Sequence, residues 1–542
     1  MSRVEGLQQK ATGKQAPGSR TFSSLAEILA YHGRNTPDRE AILASGLAPG
    51  LAPGSAPASA QERAPMSFGA LWANAQQTLR ALRAAGIGRS DRVAVVLPNG
   101  PEAATAIISV AASAVCVPLN PDFTADEWQR YFDELRVVAL LTAPNTQPAS
   151  RVAALARGMT VLDISILPNA PAGAFNFARN IIGSTAPKLT GEDFASGTDD
   201  AFILLTSGTT SRPKTIPLTH AAVCRSAFNV GGVIALAPQD RLLSVLPLFH
   251  GHGLISGVIA ALAAGSSTVC TSGFDATAFP GWLSAFRPTW YTAVPAIHRA
   301  VLETAGQQKE SARQSSLRLI RSASSTLPAK VLGGLEALFG VPVIDTFGMT
   351  EAATQIAANP LRRRKLGSVG VSAGAEIAIL DDAGQPLPSG AHGEIALRGQ
   401  TITRGYDNDT GATREAFRDG WFHTGDLGYQ DDDGFVFVVD RKTDLINRGG
   451  YNVYPREVEE LLYLHPAVSE AAVIGRPDDR LGEEVVAVVS LKPGASAQGE
   501  DIVAWAKERI AAYKYPREVR IVAELPKGPT GKIAKRLLRD AR

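Results

Sequence analysis

Residues 92–119 read RVAVVLPNGPEAATAIISVAASAVCVPL, and this stretch decides the fold class. Arg92–Leu97 is a short β-branched run, Pro-Asn-Gly-Pro turns the chain, and the segment from Ala103 to Leu119 carries no charge. Its first part is rich in Ala and Ser and predicts a buried helix. Its end, AVCVPL, predicts a second strand rather than the continuation of a membrane span, which needs about 20 apolar residues. Two apolar strands bracketing such a helix form a βαβ unit, the building block of a parallel sheet covered on both faces.

The same grammar extends in both directions. VVALLT at 137–142 and MTVLDI at 159–164 predict further strands, with helices around Ala125–Leu135 and Ser150–Ala156. The alternation returns after Ala201 with FILLT, RLLSVL, STVCT, TWYTA, LRLIRS and VPVIDTF, separated by helices beginning near Thr219, Gly253, Ala276, Pro295 and Pro328. Two doubly wound α/β sheets are therefore expected to fill residues 22–370. From 371 to 440 the texture changes to EIAILDDAG, GEIALRG and GFVFVVD, short strands with Gly-rich turns, which predict a β-rich subdomain. Beyond Arg441, LINRGG, a helix from Pro455 to Leu464, AAVIG, EVVAVVSL and a helix over Ile502–Ala512 predict a separate α+β domain at 441–542, with its boundary near Asp440.

Composition bounds the function. The chain has 542 residues, 54 Lys plus Arg against 52 Asp plus Glu, and a net charge of +2. That balance, with 45% hydrophobic residues, excludes a disordered chain and a dedicated nucleic-acid neutraliser. Cys116, Cys224 and Cys270 are far apart and show no metal-ligand spacing, which suits a reducing, cytoplasmic setting. Residues 1–20 lack an apolar stretch and read as a frayed arm, and 46–60, with LAPG written twice, reads as a low-complexity loop.

Four segments carry chemistry. Leu205-Thr-Ser-Gly-Thr-Thr-Ser-Arg-Pro-Lys214 follows a predicted strand, and its hydroxyls and backbone N–H groups suit wrapping a triphosphate while the lysine neutralises it. It is not a Walker A loop, because Pro213 stands where that signature requires Gly. Asp345-Thr-Phe-Gly-Met-Thr-Glu351 sits at the end of a strand, where open α/β sheets bind ligands. Phe347 suits packing on a base, Thr350 a phosphate contact, and Glu351 is a hard oxygen ligand for Mg²⁺ or, alternatively, an acid at a helix start. Gly420-Trp-Phe-His-Thr-Gly-Asp-Leu-Gly428 sets Asp426 in a Gly-flanked turn, where a carboxylate can accept both ribose hydroxyls. Pro526-Lys-Gly-Pro-Thr-Gly-Lys532 presents a lysine on a Gly/Pro loop.

These blocks, in this order, resemble the adenylate-forming superfamily over nearly the whole chain from about residue 22, and within it the acyl-CoA synthetases. The resemblance implies an acid–thiol ligase with a small mobile C-terminal domain. It would join a carboxylic acid to ATP as an acyl-adenylate and then to coenzyme A, with Mg²⁺. By resemblance, Lys532 is the lysine that bridges carboxylate and phosphate, and Thr350 and Glu351 serve phosphate and magnesium. Thr206, Ser207, Gly208, Thr209 and Thr210 with Lys214 hold the β- and γ-phosphates. Phe347, Ser324 and Ser325 lie on the adenine side, Asp345, Thr346 and Gly348 are further nucleotide-binding positions, and Asp426 and Arg441 hold the ribose. Gly449 and Gly450 would let the backbone approach the pantetheine, and Thr443 stands at the hinge, where relatives carry Asp or Lys.

Three departures bear on details: Ser211 and Thr215 where relatives have Gly in the phosphate loop, and Tyr451 in place of a common Glu after the double glycine. For the acid, His250 and His252 in PLFHGHGL, together with Ser324 in RSASS, are similar to the oxalate–CoA ligase branch, whose polar pocket suits a short charged acid. LINRGGYNVYP instead follows the form of fatty and aryl acid ligases. Medium-chain fatty or aryl acids, and a carrier protein in place of CoA, remain as alternatives; no nucleic acid and no membrane span is expected. Asp431-Asp-Asp-Gly434 reads as a hairpin turn rather than a calcium loop, and Arg362–Lys365 as a solvated basic loop.

Overall fold

The computed structural model describes residues 21–46, 63–144, 146–166, 169–177, 193–206, 213–306, 309–528 and 532–540. The βαβ unit is present as read. Strands Arg92–Val95 and Val115–Pro118 are parallel neighbours, and the helix between them, Pro101–Ala111, is buried along its whole length. Pro101 occupies the first helical turn, where its missing N–H costs nothing, and small Ala, Ser and Thr side chains let strands approach on every side. The helix contacts strands of two different sheets and lies between them, within one hydrophobic core that takes Val93, Leu141 and Leu204 from one side and Ile42, Trp290 and Ile344 from the other.

The first sheet has seven strands in the order 175–177, 160–166, 139–142, 92–95, 115–118, 200–205, 215–219, parallel except for the two edge strands. The second has nine, in the order 371–372, 357–358, 343–347, 319–322, 290–293, 241–244, 267–270, 40–44, 66–67, parallel from 40–44 to 343–347. One expectation is corrected here. FILLT, which opens the second series in the sequence, lies in Asp200–Leu205 of the first sheet, paired with Val115–Pro118. Glu40–Ala44, from before the first βαβ unit, crosses to the second sheet. An apolar run names a strand but not the sheet it joins.

Several boundaries also shift. The helix read from near Ala276 begins at Phe279, that of 455–464 ends at Leu462, and that of 502–512 is Gly499–Lys507. The segment His252–Ile259 is a π-helix rather than an α-helix. A third sheet carries Glu376–Leu380, Gly393–Arg398, Trp421–Gln430 and Val436–Arg441, and a fourth carries Ile446–Arg448, Tyr451–Val453, Val468–Asp478, Gly482–Leu491 and Glu518–Val522. The chain passes from the third sheet to the fourth between Arg441 and Ile446. The architecture is a large α/β body with a β-rich unit and a smaller C-terminal α+β unit. Among the described residues no helix is long and apolar enough to cross a membrane.

Candidate active site

The carboxyl ends of three parallel strands of the nine-stranded sheet lie side by side, with Thr292 opposite Arg321 and Ser322 opposite Asp345. A cleft of about 510 Å³ opens there and is closed over by residues of the third and fourth sheets. It brings together Thr206, Lys214, His250, His252, Ser324, Ser325, Asp345, Thr346, Phe347, Gly348, Thr350, Glu351, Asp426, Arg441 and Lys532. Residues from five parts of the chain, more than 300 positions apart, thus converge on one crevice at the edge where such sheets bind ligands.

The strands flanking the hydroxyl-rich segment, Asp200–Leu205 and Thr215–Thr219, pair antiparallel. Thr206 N–H donates to Lys214 O and Lys214 N–H to Thr206 Oγ1, both at 2.9 Å, which extends the pairing of these strands by one residue on each side. Ser207, Gly208, Thr209 and Thr210 lie outside the described residues. Lys214 Nζ stands 4.2 Å from the centre of the Tyr406 ring, a cation–π contact. The Tyr406 hydroxyl in turn donates to Glu351 Oε1 at 3.2 Å.

Glu351 sits in a single 3-10 turn, Thr350–Ala352, and its main-chain oxygen accepts from Thr403 N–H at 2.7 Å. Burial pushes its carboxyl up, while Arg441 and Lys214 favour the charged form. Burial and the Glu351 charge push the Tyr406 hydroxyl up, so it stays protonated and remains a donor. Sequence reasoning missed Tyr406, because a tyrosine in a Gly-Tyr-Asp turn carries no chemical signature; only its contacts reveal it. Gly348 is required sterically, since a Cβ there would strike the Thr354 carbonyl.

Asp426 is not in a turn, as its glycine neighbours suggest, but in the long strand Trp421–Gln430, with Gly425 at φ +72° bending the strand. It pairs in register with Arg441, whose Nε donates to Asp426 Oδ1 at 3.0 Å. Lys532 reaches the same place from the C-terminal unit. Burial, and then Arg441, lower its ammonium to about 8, while Asp426 and Glu351 pull the other way.

At the far end of the cleft the walls are polar. Burial and then Lys532 hold His250 at about 4, and burial and then Arg321 hold His252 well below its ordinary value, so both are neutral. His252 meets Ser324 Oγ through Nδ1 at 3.0 Å and Thr292 Oγ1 through Nε2 at 2.6 Å. Ser324 has φ +78°, a left-handed conformation that costs a non-glycine residue about 1–2 kcal/mol. Thr354, also left-handed at φ +92°, is bonded to Ser256 Oγ at 2.6 Å and Ser226 Oγ at 3.3 Å and lines the same cleft.

Three expected residues lie elsewhere. Gly449 and Gly450 form the exposed turn of the hairpin Ile446–Arg448 with Tyr451–Val453, at φ +60° and +85°. Gly450 N–H donates to Asn447 Oδ1 at 3.0 Å, and neither glycine lines the cleft. Thr443 is exposed in the link between the third and fourth sheets. Across that link, Arg299 of the large body donates to the carboxylate of Glu470 in the C-terminal unit and, at 3.3 Å, to Ser469 O, while Lys527 Nζ stands 3.0 Å from the same carboxylate.

The AMP-binding enzyme model matches residues 29–407, and the AMP-binding enzyme C-terminal domain model matches 457–532. The chain is 38% identical to an oxalate–CoA ligase of Arabidopsis thaliana, covering 96% of this chain and 98% of that one. It is 36% identical to a sulfoacetate–CoA ligase of Cupriavidus necator, over 94% and 96%. Among solved structures, ATP-bound MatB from Rhodopseudomonas palustris superposes with a TM-score of 0.84 at 28% identity, over 96% and 98% of the two chains. The chain belongs to the AMP-binding enzyme family.

Proposed function

We propose that this chain is an AMP-forming acid–CoA ligase whose substrate is a short, polar carboxylic acid. The observation that carries the reading is the juxtaposition in one cleft of the Asp426–Arg441 pair and Lys532 with the polar side chains of His250, His252, Ser324 and Thr354. The relatives named above act on oxalate and sulfoacetate, both short and polar.

In the first half-reaction a carboxylate oxygen of the acid forms a bond to the α-phosphorus of ATP, and the bond from that phosphorus to the bridging oxygen breaks, releasing pyrophosphate. The reactants are both anions, so charge neutralisation and positioning supply the catalysis. Lys532 stabilises the charge on the α-phosphate and the approaching carboxylate. Lys214 leaves the Tyr406 ring for the terminal phosphates, Asp426 accepts from the ribose hydroxyls, and Phe347 packs beside the adenine. Glu351 fits magnesium: it is one buried carboxylate, held by Tyr406, and magnesium keeps waters and substrate phosphates as its other ligands. When bound, the ion offsets phosphate charge.

In the second half-reaction the sulfur of CoA bonds to the acyl carbon and the bond to the AMP oxygen breaks. We place Gly449 and Gly450 beside the pantetheine in that step, after the C-terminal unit turns about Thr443. The test is AMP release with ATP, CoA and oxalate, malonate, butyrate, octanoate or benzoate. Turnover with the short polar acids is expected; turnover confined to octanoate or benzoate overturns the substrate assignment. A failure of free CoA to accelerate AMP release points to a carrier protein as acceptor.

A further inference from the structure

The chain on either side of Lys532 is held by backbone pairing. Gly528 N–H donates to Lys532 O and Ala534 N–H to Pro526 O, both at 2.8 Å, and Lys527 faces Ile533 across an antiparallel bridge. Three lysines stand here. Lys527 Nζ lies 3.0 Å from the Glu470 carboxylate, Lys535 Nζ lies 2.7 Å from Glu459 Oε1, and Lys532, between them in the chain, enters the cleft. The outer two lysines are thus committed to carboxylates of the C-terminal unit itself.

Glu459 does more than neutralise Lys535. The two side chains are only 15% and 18% exposed, and the same Glu459 oxygen accepts Val473 N–H at 2.7 Å. It therefore joins the helix Pro455–Leu462, the strand Val468–Asp478 and the first residue of the last helix, Lys535–Asp540. The start of the Pro455–Leu462 helix is tied in turn to the third sheet: Arg456 N–H donates to Asp440 Oδ2 at 2.9 Å, and the Arg456 guanidinium donates to Val438 O. Asp440 lies opposite Leu427, the neighbour of Asp426. A continuous series of contacts thus runs from the strand beside Asp426, through the helix and the Glu459–Lys535 pair, to the backbone that carries Lys532.

We infer that Glu459 and Lys535 are positioning residues for Lys532, and that their ion pair holds its ammonium where carboxylate and α-phosphate meet. A lysine carries its charge on a flexible stem, so the charge acts at one point only if the backbone beneath it is fixed. Misplacement by about 1 Å costs a reaction of this kind about 100-fold. The pair acts through Lys532 and not on the reactants, and it serves adenylation alone, because that is the step the Lys532 ammonium serves. The inference rests on the ligase reading above.

The test reads adenylation as ATP-dependent hydroxamate formation by the full-length protein, with the best substrate among oxalate, malonate, butyrate, octanoate and benzoate. Lys535→Met and Glu459→Gln are each expected to lower kcat about 10- to 100-fold while KM for ATP and for the acid stays within about 2-fold, and Lys535→Arg to restore kcat to within about 3-fold of wild type. Transfer from a preformed acyl-adenylate to CoA is expected to stay within about 2-fold in all three variants. In a Lys532→Ala background, Lys535→Met is expected to cause no further loss, because residues that act as one unit are not additive. A further loss of about 10-fold or more in that background shows that Lys535 meets the reactants itself and overturns the inference. Equal loss of both half-reactions overturns it as well, since the pair then serves the fold of the C-terminal unit and not Lys532. Thermal melting checks folding, and Glu459→Gln, which keeps the side-chain shape, decides the matter if Lys535→Met does not fold. Hydroxamate formed at the wild-type rate by these variants overturns only this inference, whereas none from wild type with any acid overturns the ligase reading and this inference together.

Discussion

Arg441 Nε donates to Asp426 Oδ1 at 3.0 Å across two neighbouring strands, and Arg441 is the last residue of its strand before the chain leaves the sheet. The pair ties the cleft to the segment that carries the C-terminal unit. The Asp426 side chain is 7% exposed, and burial pushes its carboxyl up, while Arg441 is the largest influence holding it charged. Asp426→Asn keeps the shape but removes the charge and one acceptor. With Asp426 as the ribose acceptor, KM for ATP is expected to rise about 10- to 100-fold, the scale of one or two lost charge-assisted hydrogen bonds. Initial rates against ATP concentration check it, with thermal melting as the control for folding.

In the proposed first half-reaction Lys532 supplies positive charge at the α-phosphate. Lys532→Ala is expected to lower hydroxamate formation by about 100- to 1,000-fold, the range for loss of one preorganised charge-stabilising donor. The pH dependence has a defined sign. Burial and Arg441 hold the free enzyme's ammonium at about 8, so the charged form predominates below that pH and is lost above it. Adenylation kcat/KM, which reports the free enzyme, is therefore expected to be flat to about pH 8 and to fall beyond it. In Lys532→Arg the alkaline limb disappears, because a guanidinium stays charged across this range. A limb of unchanged position in Lys532→Arg assigns it to another group.

The Tyr406 hydroxyl holds Glu351 from one side while its ring holds Lys214 from the other. Tyr406→Phe keeps the cation–π contact and deletes the hydrogen bond. If Glu351 serves the magnesium–ATP complex, the apparent affinity for Mg²⁺ at fixed ATP falls about 10-fold while KM for the acid is unchanged, as expected when a residue orienting a metal ligand is lost. Tyr406→Leu, which deletes both contacts, is expected to raise KM for ATP as well. A magnesium titration of initial rate separates the two.

The strands and helices around the first βαβ unit are legible because each is a local property: β-branched runs, small helical residues and a proline at the helix start. What is illegible is which segments meet. Arg362–Lys365 reads alone as a solvated basic loop and Asp431–Asp433 as a hairpin turn, yet Lys365 bonds to Asp431 and Asp433, and Arg363 lies 2.8 Å from Asp433. Each segment is the other's counter-ion. Lys214, Glu351, Asp426 and Lys532 are legible as candidates because four motifs in this order resemble one superfamily, and the structure brings all four residues to one cleft. Thr292 and Tyr406 follow from register and tertiary contact: Thr292 lies opposite Arg321 on the next strand, and no spacing in the sequence states that.

Thr443 lies two residues after Arg441 and three before Ile446, where the fourth sheet begins. Lys442 N–H donates to Gly425 O at 2.8 Å, so the third sheet holds the chain up to this point, and Asp444 N–H returns to Arg441 O at 3.0 Å in a tight turn. In the arrangement described, Lys532 is in the cleft and the Gly449–Gly450 turn is outside it, which suits adenylation and not thioester formation. The Arg299–Glu470 pair and the Lys527 contact fasten that arrangement from the large body and from within the C-terminal unit. Proline at 443 fixes φ and removes the torsional freedom a pivot needs. Thr443→Pro is therefore expected to preserve hydroxamate formation within about 2-fold and to lower CoA-dependent turnover by about 100-fold or more. Glu470→Gln acts oppositely: it loosens the fastened arrangement, slows adenylation by about 3- to 10-fold, and leaves transfer from a preformed acyl-adenylate to CoA unimpaired. Single-turnover measurement of each half-reaction in both variants decides the matter, and equal loss of both half-reactions in Thr443→Pro rules out the hinge.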